Sequence, residues 1–170
     1  MSRIRHGQGH SQSADRMNIL LEMERQFDHR NAKYFLDLLT HTDNVIRTRA
    51  ICILADIADK DSVDHISNVL KNDKDPLVRH EAAFSLGQLG FTNAISALSG
   101  ALSSDSSFFV RHEAAIALGV IGSESAREAL DKALDDGSEE VRESANIALA
   151  NIDYISKMKR TNKFSKMTGG

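Results

Sequence analysis

Two histidine–glutamate pairs, His80-Glu81 and His112-Glu113, hold the same place in two copies of one phrase. Val78-Arg79-His80-Glu81-Ala82-Ala83-Phe84-Ser85-Leu86-Gly87-Gln88-Leu89-Gly90 returns 32 residues later as Val110-Arg111-His112-Glu113-Ala114-Ala115-Ile116-Ala117-Leu118-Gly119-Val120-Ile121-Gly122. Imidazole nitrogens and carboxylate oxygens are metal donors. Two histidines and one carboxylate, with positions left open, form the ligand set of non-haem ferrous iron oxygenases. A plainer account uses the same residues. A glutamate in a first helical turn meets the positive end of the helix dipole, a first-turn histidine can be merely exposed, and duplication can copy both passively. The outer copies of the phrase carry Thr48-Arg49 and Glu143-Ser144 instead, so the pair is confined to the middle two.

The elements that hold these pairs follow from the repeat. The frame extends upstream through 45–57 and downstream through 140–152, and its arginines, Arg47, Arg79, Arg111 and Arg142, are spaced 32, 32 and 31 residues apart. Four residues before each arginine stands Asp43, Asp75, Ser107 or Ser138, whose side-chain oxygen can accept from a first-turn amide. Pro76 falls at a first helical position, where no N–H is needed. Apolar residues then recur at helical spacing (Ala83, Leu86, Leu89; Ala115, Leu118, Ile121), and Gly90 and Gly122 follow as C-caps do. A second amphipathic segment precedes each of these helices, at 32–40, 62–72, 92–102 and 123–134. Sustained two-residue alternation is absent. A period of this length signals stacked helical hairpins, so the expected fold is an all-α solenoid of about four helix-turn-helix repeats. The repeat domain is read as 13–152. It comprises a capping helix at 13–29, with Met17, Leu20, Leu21, Glu24 and Phe27 near helical spacing, and repeats at about 31–58, 61–90, 92–122 and 123–152. Residues 1–12 read as a polar, mobile start and 153–170 as a basic tail.

Second helices of such stacks line the inner, concave face, with neighbours about 8–10 Å apart. His80 and His112, at equal phase on neighbouring helices, can therefore reach toward a common point. Adjacent helical residues diverge by about 100°, so each glutamate points elsewhere than its histidine and can serve either a metal or a substrate beside it.

Composition narrows the classes. The single cysteine, Cys52, excludes an internal disulfide, and its apolar neighbours suggest a buried, unreactive thiol. No apolar run approaches the roughly 20 residues of a membrane helix, and no signal-peptide core is present. The expectation is a soluble, cytoplasmic protein. Lys157, Lys159, Arg160, Lys163 and Lys166 give the tail a charge of +5 against −8 elsewhere, within the net −3. Interleaved aromatics beyond Phe164 are missing, which argues against nucleic acid as the partner. His6, His10, His29, His41 and His65 fall outside the repeated phase. No phosphate-binding glycine loop and no nucleophile–base spacing is evident.

The pattern Asp-x-x-Val-Arg-x-x-Ala-x-x-x-Leu-Gly resembles the HEAT-like repeat family over roughly residues 31–152. The longer string Val-Arg-His-Glu-Ala-Ala-x-x-Leu-Gly resembles the deoxyhypusine hydroxylase family, HEAT-repeat enzymes with a di-iron centre that hydroxylate a modified lysine on a translation initiation factor with dioxygen. The resemblance implies iron (Fe2+) held by His80, His112 and Glu113, with Glu81 as the catalytic residue facing the substrate amine. That family has two halves, each with two His-Glu motifs, whereas this chain has the motifs of one. The resemblance therefore implies a homodimer that brings two irons together across a two-fold axis, acting as a monooxygenase on a basic or lysine-derived side chain of a protein partner.

Two rival readings remain at this point. One is a non-catalytic scaffold that binds a protein on its concave face, with the arginines bonding between repeats. The other is a metal site without turnover, for which zinc suits the same ligands. Some HEAT-like proteins resemble lyases that attach bilin pigments, and no feature here is specific to that activity.

Overall fold

The computed structural model describes residues 7–57 and 60–161, with side chains from Asp15 onward. Every regular element among these residues is helical, and they divide into two compact units, 1–58 and 59–170.

The first unit holds α1 (Gly7–Asp28), α2 (Ala32–Leu38) and α3 (Asn44–Ile57). Asn31 caps α2, its side chain accepting from the Tyr34 amide, and Asp43 accepts from the Val45 amide at the start of α3, 2.9 Å away. Phe35, Ile46, Ala50, Ile51 and Leu54 form the core on which Met23 of α1 is buried. Arg16 and Asp43 add an ion pair at 2.6 Å. The buried face of α1 differs from the one expected: Met17 and Leu21 are exposed, and Met23 is the residue covered. Helix α1 also begins within the segment read as a mobile start. Cys52 is half-buried.

The second unit alternates two helix layers. Helices α4 (Ser62–Asn72), α6 (Ile95–Ser104) and α8 (Arg127–Ala133) pack side by side. Helices α5 (Pro76–Leu89), α7 (Phe108–Ile121) and α9 (Glu139–Arg160) form the second layer, each against its own hairpin partner. Short 3-10 turns, Thr92–Ala94 and Glu124–Ala126, lead into α6 and α8. Asp75 caps α5 by accepting from the Leu77 amide, and Pro76 opens the helix. Ser107 and Ser138 occupy the same position without a side-chain cap bond; Ser138 instead donates to Glu140. Gly90 and Gly122 end α5 and α7 at φ 70° and 64°, a backbone region that glycine enters without strain. Leu86, Leu98, Leu118 and Leu130 are fully buried between the layers, each contributing about 1.5–3 kcal/mol of transfer free energy.

The second layer packs backbone to backbone. A Cβ on Gly87 would lie 2.9 Å from Ala117 Cα, and one on Gly119 would lie 2.8 Å from Ala148 Cα. Only glycine at both positions allows α5, α7 and α9 to approach this closely, and that approach decides which polar side chains meet above them. Helix α9 continues to Arg160, so Lys157, Lys159 and Arg160 of the expected tail are helical. Lys163 and Lys166 lie outside the described residues.

Candidate functional site

Two ladders of polar contacts run across the second helices. In the first, Arg79 donates Nε and Nη2 to both carboxylate oxygens of Asp105, at 2.7 and 2.8 Å, and Nη1 to the Asp73 carbonyl at 2.8 Å. Arg111 repeats this one repeat later, with Asp136 at 2.8 and 2.9 Å and the Asp105 carbonyl at 2.9 Å. Each aspartate also caps the following turn, accepting from Ser107 N or Ser138 N. These forks are the strong, bidentate form of ion pair. Burial, the largest single influence, would raise the Asp105 carboxyl, but the Arg79 hydrogen bonds, the Ser107 amide and the charges of Arg79 and Arg111 together outweigh it and hold it below the usual range. The Arg111 hydrogen bonds do the same for Asp136. Arg47 and Arg142 repeat the backbone part, donating to the His41 and Asp136 carbonyls at 2.8 and 2.7 Å. Arg79 and Arg111 thus serve the inter-repeat role expected of the arginines.

The second ladder carries the histidines. His80 Nε2 lies 3.2 Å from Glu113 Oε2. The glutamate is buried, and the imidazole is stacked on Phe109 with ring centroids 4.1 Å apart and planes 7° from parallel. His112 takes a different partner: its Nδ1 lies 2.8 Å from Ser144 Oγ and 3.4 Å from the Glu140 carbonyl. Glu81 is half-buried on α5. The frame aligns His80 with His112 and His112 with Glu143, yet each imidazole meets the next residue along, Glu113 and Ser144. The structure therefore joins His80 to Glu113 and sets His112 on Ser144. Among the described residues no three histidine, cysteine, aspartate or glutamate side chains gather closely enough to hold one ion.

The donors can still be tested against a metal. Two ligands bonded to one ion at about 2.1 Å stand roughly 3.0–3.4 Å apart, depending on coordination number. The separation of His80 Nε2 and Glu113 Oε2, 3.2 Å, falls in that interval. It equally suits a hydrogen bond from an Nε2–H to the carboxylate. Two of the three proposed ligands thus fit in type and spacing, and the third, His112, adjoins Glu113 on α7 but turns its Nδ1 to Ser144 of α9.

Beside His112, α7 and α9 enclose an open groove of about 440 Å3. Ile116, Val120, Ile147 and Ala148 line it, with His112, Glu140 and Glu143 toward one end. Ser138, which donates to Glu140, keeps that carboxyl below its ordinary range. Phe84, Ile116 and Ile147 stand at one phase of the repeat, four residues beyond His80, His112 and Glu143, and all three are exposed. The aligned aspartates, Ser144, Phe109 and this apolar line were not singled out from the sequence. The aspartates had a readable signal, since Asp73, Asp105 and Asp136 recur with the arginines. His29 and His41 make local contacts, with the Arg25 carbonyl and the Asp43 amide. His65 is exposed and His10 lies within α1, while His6 falls outside the described residues.

The family model described as HEAT repeats matches residues 63–150. Human deoxyhypusine hydroxylase, in a structure with glycerol, is similar to this chain with a TM-score of 0.71 and 24% identity, over 88% of this chain and 51% of that one. The complex of CpcE and CpcF of phycocyanin lyase from Nostoc sp. PCC7120 gives a TM-score of 0.64 and 24% identity, over 75% and 55%. An engineered protein gives 0.51 and 24%, over 77% and 68%. The chain thus spans about half the length of the first two. No curated protein sequence matches it significantly. At these identities the structural likeness establishes the helical-repeat fold and nothing finer.

Proposed function

This chain belongs to the HEAT-repeat family, and from that premise we propose that α5, α7 and α9 carry a metal-binding site resembling one half of deoxyhypusine hydroxylase. His80, His112 and Glu113 would hold the ion. The observation that carries the reading is the His80–Glu113 contact: a buried carboxylate and an imidazole from neighbouring repeats, at a spacing that one ion can bridge. Iron bound there would supply dioxygen-activating redox chemistry of the kind that hydroxylates a C–H bond. The chain's own residues supply the rest. Phe109 fixes the plane of His80 by stacking on it. The groove beside His112 suits an aliphatic side chain, and Glu140 and Glu143 at its end suit a cationic head group. A lysine-derived side chain of a protein partner has both features. Glu81, on the same helix as His80, is the carboxylate assigned to the substrate amine. A second copy would supply the second ion of a paired centre. A cytoplasmic setting, with a translation initiation factor as partner, goes with this reading.

The test is metal content per chain after anaerobic reconstitution with ferrous iron, read by plasma mass spectrometry on gel-filtered protein. We expect about one iron per chain, lost in His80→Ala and in His112→Ala with helicity retained. Unchanged iron in both variants would remove the assignment. Sedimentation of the loaded protein addresses the pairing, because a monomer at every concentration leaves a single-ion site only.

A second reading is favoured by the apolar line. Phe84, Ile116 and Ile147 are 42%, 38% and 69% exposed, and aligned exposed apolar residues mark interaction surfaces. With no iron or zinc bound, this layer is a protein-binding face and the histidine ladder is an inter-repeat contact.

A further inference from the structure

We infer that Ser144 is a positioning residue for His112, holding it as the Nδ1–H tautomer so that the Nε2 lone pair is the donor left for an ion. The use made of that lone pair rests on the metal reading above; the tautomer assignment stands on geometry alone.

Ser144 lies on α9, 5% exposed. Its Oγ is 2.8 Å from the Glu140 carbonyl oxygen and 2.8 Å from His112 Nδ1. A hydroxyl has one proton to give. The carbonyl can only accept, so the Ser144 proton goes to Glu140. Oγ is then an acceptor toward the ring, and Nδ1 must carry the hydrogen. The Glu140 carbonyl, 3.4 Å from Nδ1, asks for the same proton. A neutral imidazole has one N–H, so Nε2 keeps its lone pair. Metal-binding histidines are arranged in this way, with the second nitrogen donating to a fixed acceptor that sets the tautomer and ring orientation.

The two histidine steps thus become complementary. His80 turns Nε2 to Glu113, and His112, anchored through Nδ1, also has Nε2 as its remaining donor. Ser144 occupies the frame position of Glu113, so one small hydroxyl takes the place of a carboxylate. A glutamate at 144 would give His112 an ionic partner of the kind His80 has, in place of the neutral oxygen.

Long-range proton–nitrogen NMR correlation on the metal-free protein tests the assignment. It is run at about pH 8, above the usual imidazole range near 6.5. Wild-type His112 should show Nδ1–H, Ser144→Thr should keep it, and Ser144→Ala should move population to Nε2–H. Titration of the same three proteins with zinc should then show affinity about 10-fold weaker for Ser144→Ala and little changed for Ser144→Thr. Nε2–H in wild type, or one tautomer in all three, overturns the inference. So does wild-type affinity in an alanine variant whose tautomer has changed. Tautomers as expected in a wild type that binds neither zinc nor iron would uphold the Ser144–His112 assignment and defeat the metal reading.

Discussion

Helices α5 and α7 each carry an arginine and a histidine side by side, and the two residue types treat the repeat differently. Arg79 and Arg111 do the same thing one repeat apart, down to the forked contact with an aspartate and the third bond to a carbonyl. His80 and His112 share a phase and diverge in chemistry. One meets a buried carboxylate under an aromatic ring; the other meets a serine hydroxyl beside an open apolar groove. A contact copied unchanged is what stacking requires of every repeat, because each interface must close the same way. A contact whose donor type is kept while its partner changes is not explained by stacking, which is why the histidine side is the place to look for function.

Breaking the arginine ladder should have the largest effect. Asp105→Ala leaves the half-buried Arg79 guanidinium without its fork and the Ser107 amide without its cap and should cost about 3 kcal/mol, read by urea denaturation with circular dichroism; a loss below about 1 kcal/mol would mean the ladder is dispensable. The same pairs set an acid limit. The Asp105 and Asp136 carboxyls are held below their ordinary range. Their stabilisation is therefore complete above the unfolded value near 3.9 and is lost as pH falls through the lower folded value. An acid titration of helicity should show wild type losing stability below about pH 4, and Asp105→Asn should lack part of that dependence.

Gly119→Ala comes next. The added methyl meets the Ala148 backbone at 2.8 Å, and such overpacking costs about 1–3 kcal/mol. It should also disturb the Ser144–His112 contact, since both lie on the same helix pair. An unchanged melting temperature would contradict the close approach.

The histidine steps should then separate. His80→Ala strands the buried Glu113 carboxylate and should cost about 1–3 kcal/mol. His112→Ala should cost less, about 0.5 kcal/mol, because Ser144 keeps its bond to the Glu140 carbonyl. Equal losses would erase the distinction between the steps. Opposite ordering would assign the structural contact to His112 and free His80.

Much of this was legible in the chain. The repeat, the helix starts at Asp75 and Pro76 and the glycine ends at Gly90 and Gly122 all follow from local backbone rules, which act within a few residues. The arginine role was legible because its partners repeat with it. The hidden parts lie across helices. Gly87 and Gly119 sat in the repeated phrase, but what they touch is 30 and 29 residues away. Phe109 as the stacking partner of His80 had no local signal, since Leu77 holds its place one repeat earlier.

The sequence by itself determined an all-α repeat, which residues share a phase, and which side chains carry donors. Spacing along one helix fixes phase, because the backbone has a constant turn per residue. Tertiary structure alone decided that each imidazole meets the residue one position beyond its aligned counterpart, and hence that His80 finds Glu113 while His112 finds Ser144. That offset belongs to how neighbouring helices pack on one another. Nothing within a single helix records it.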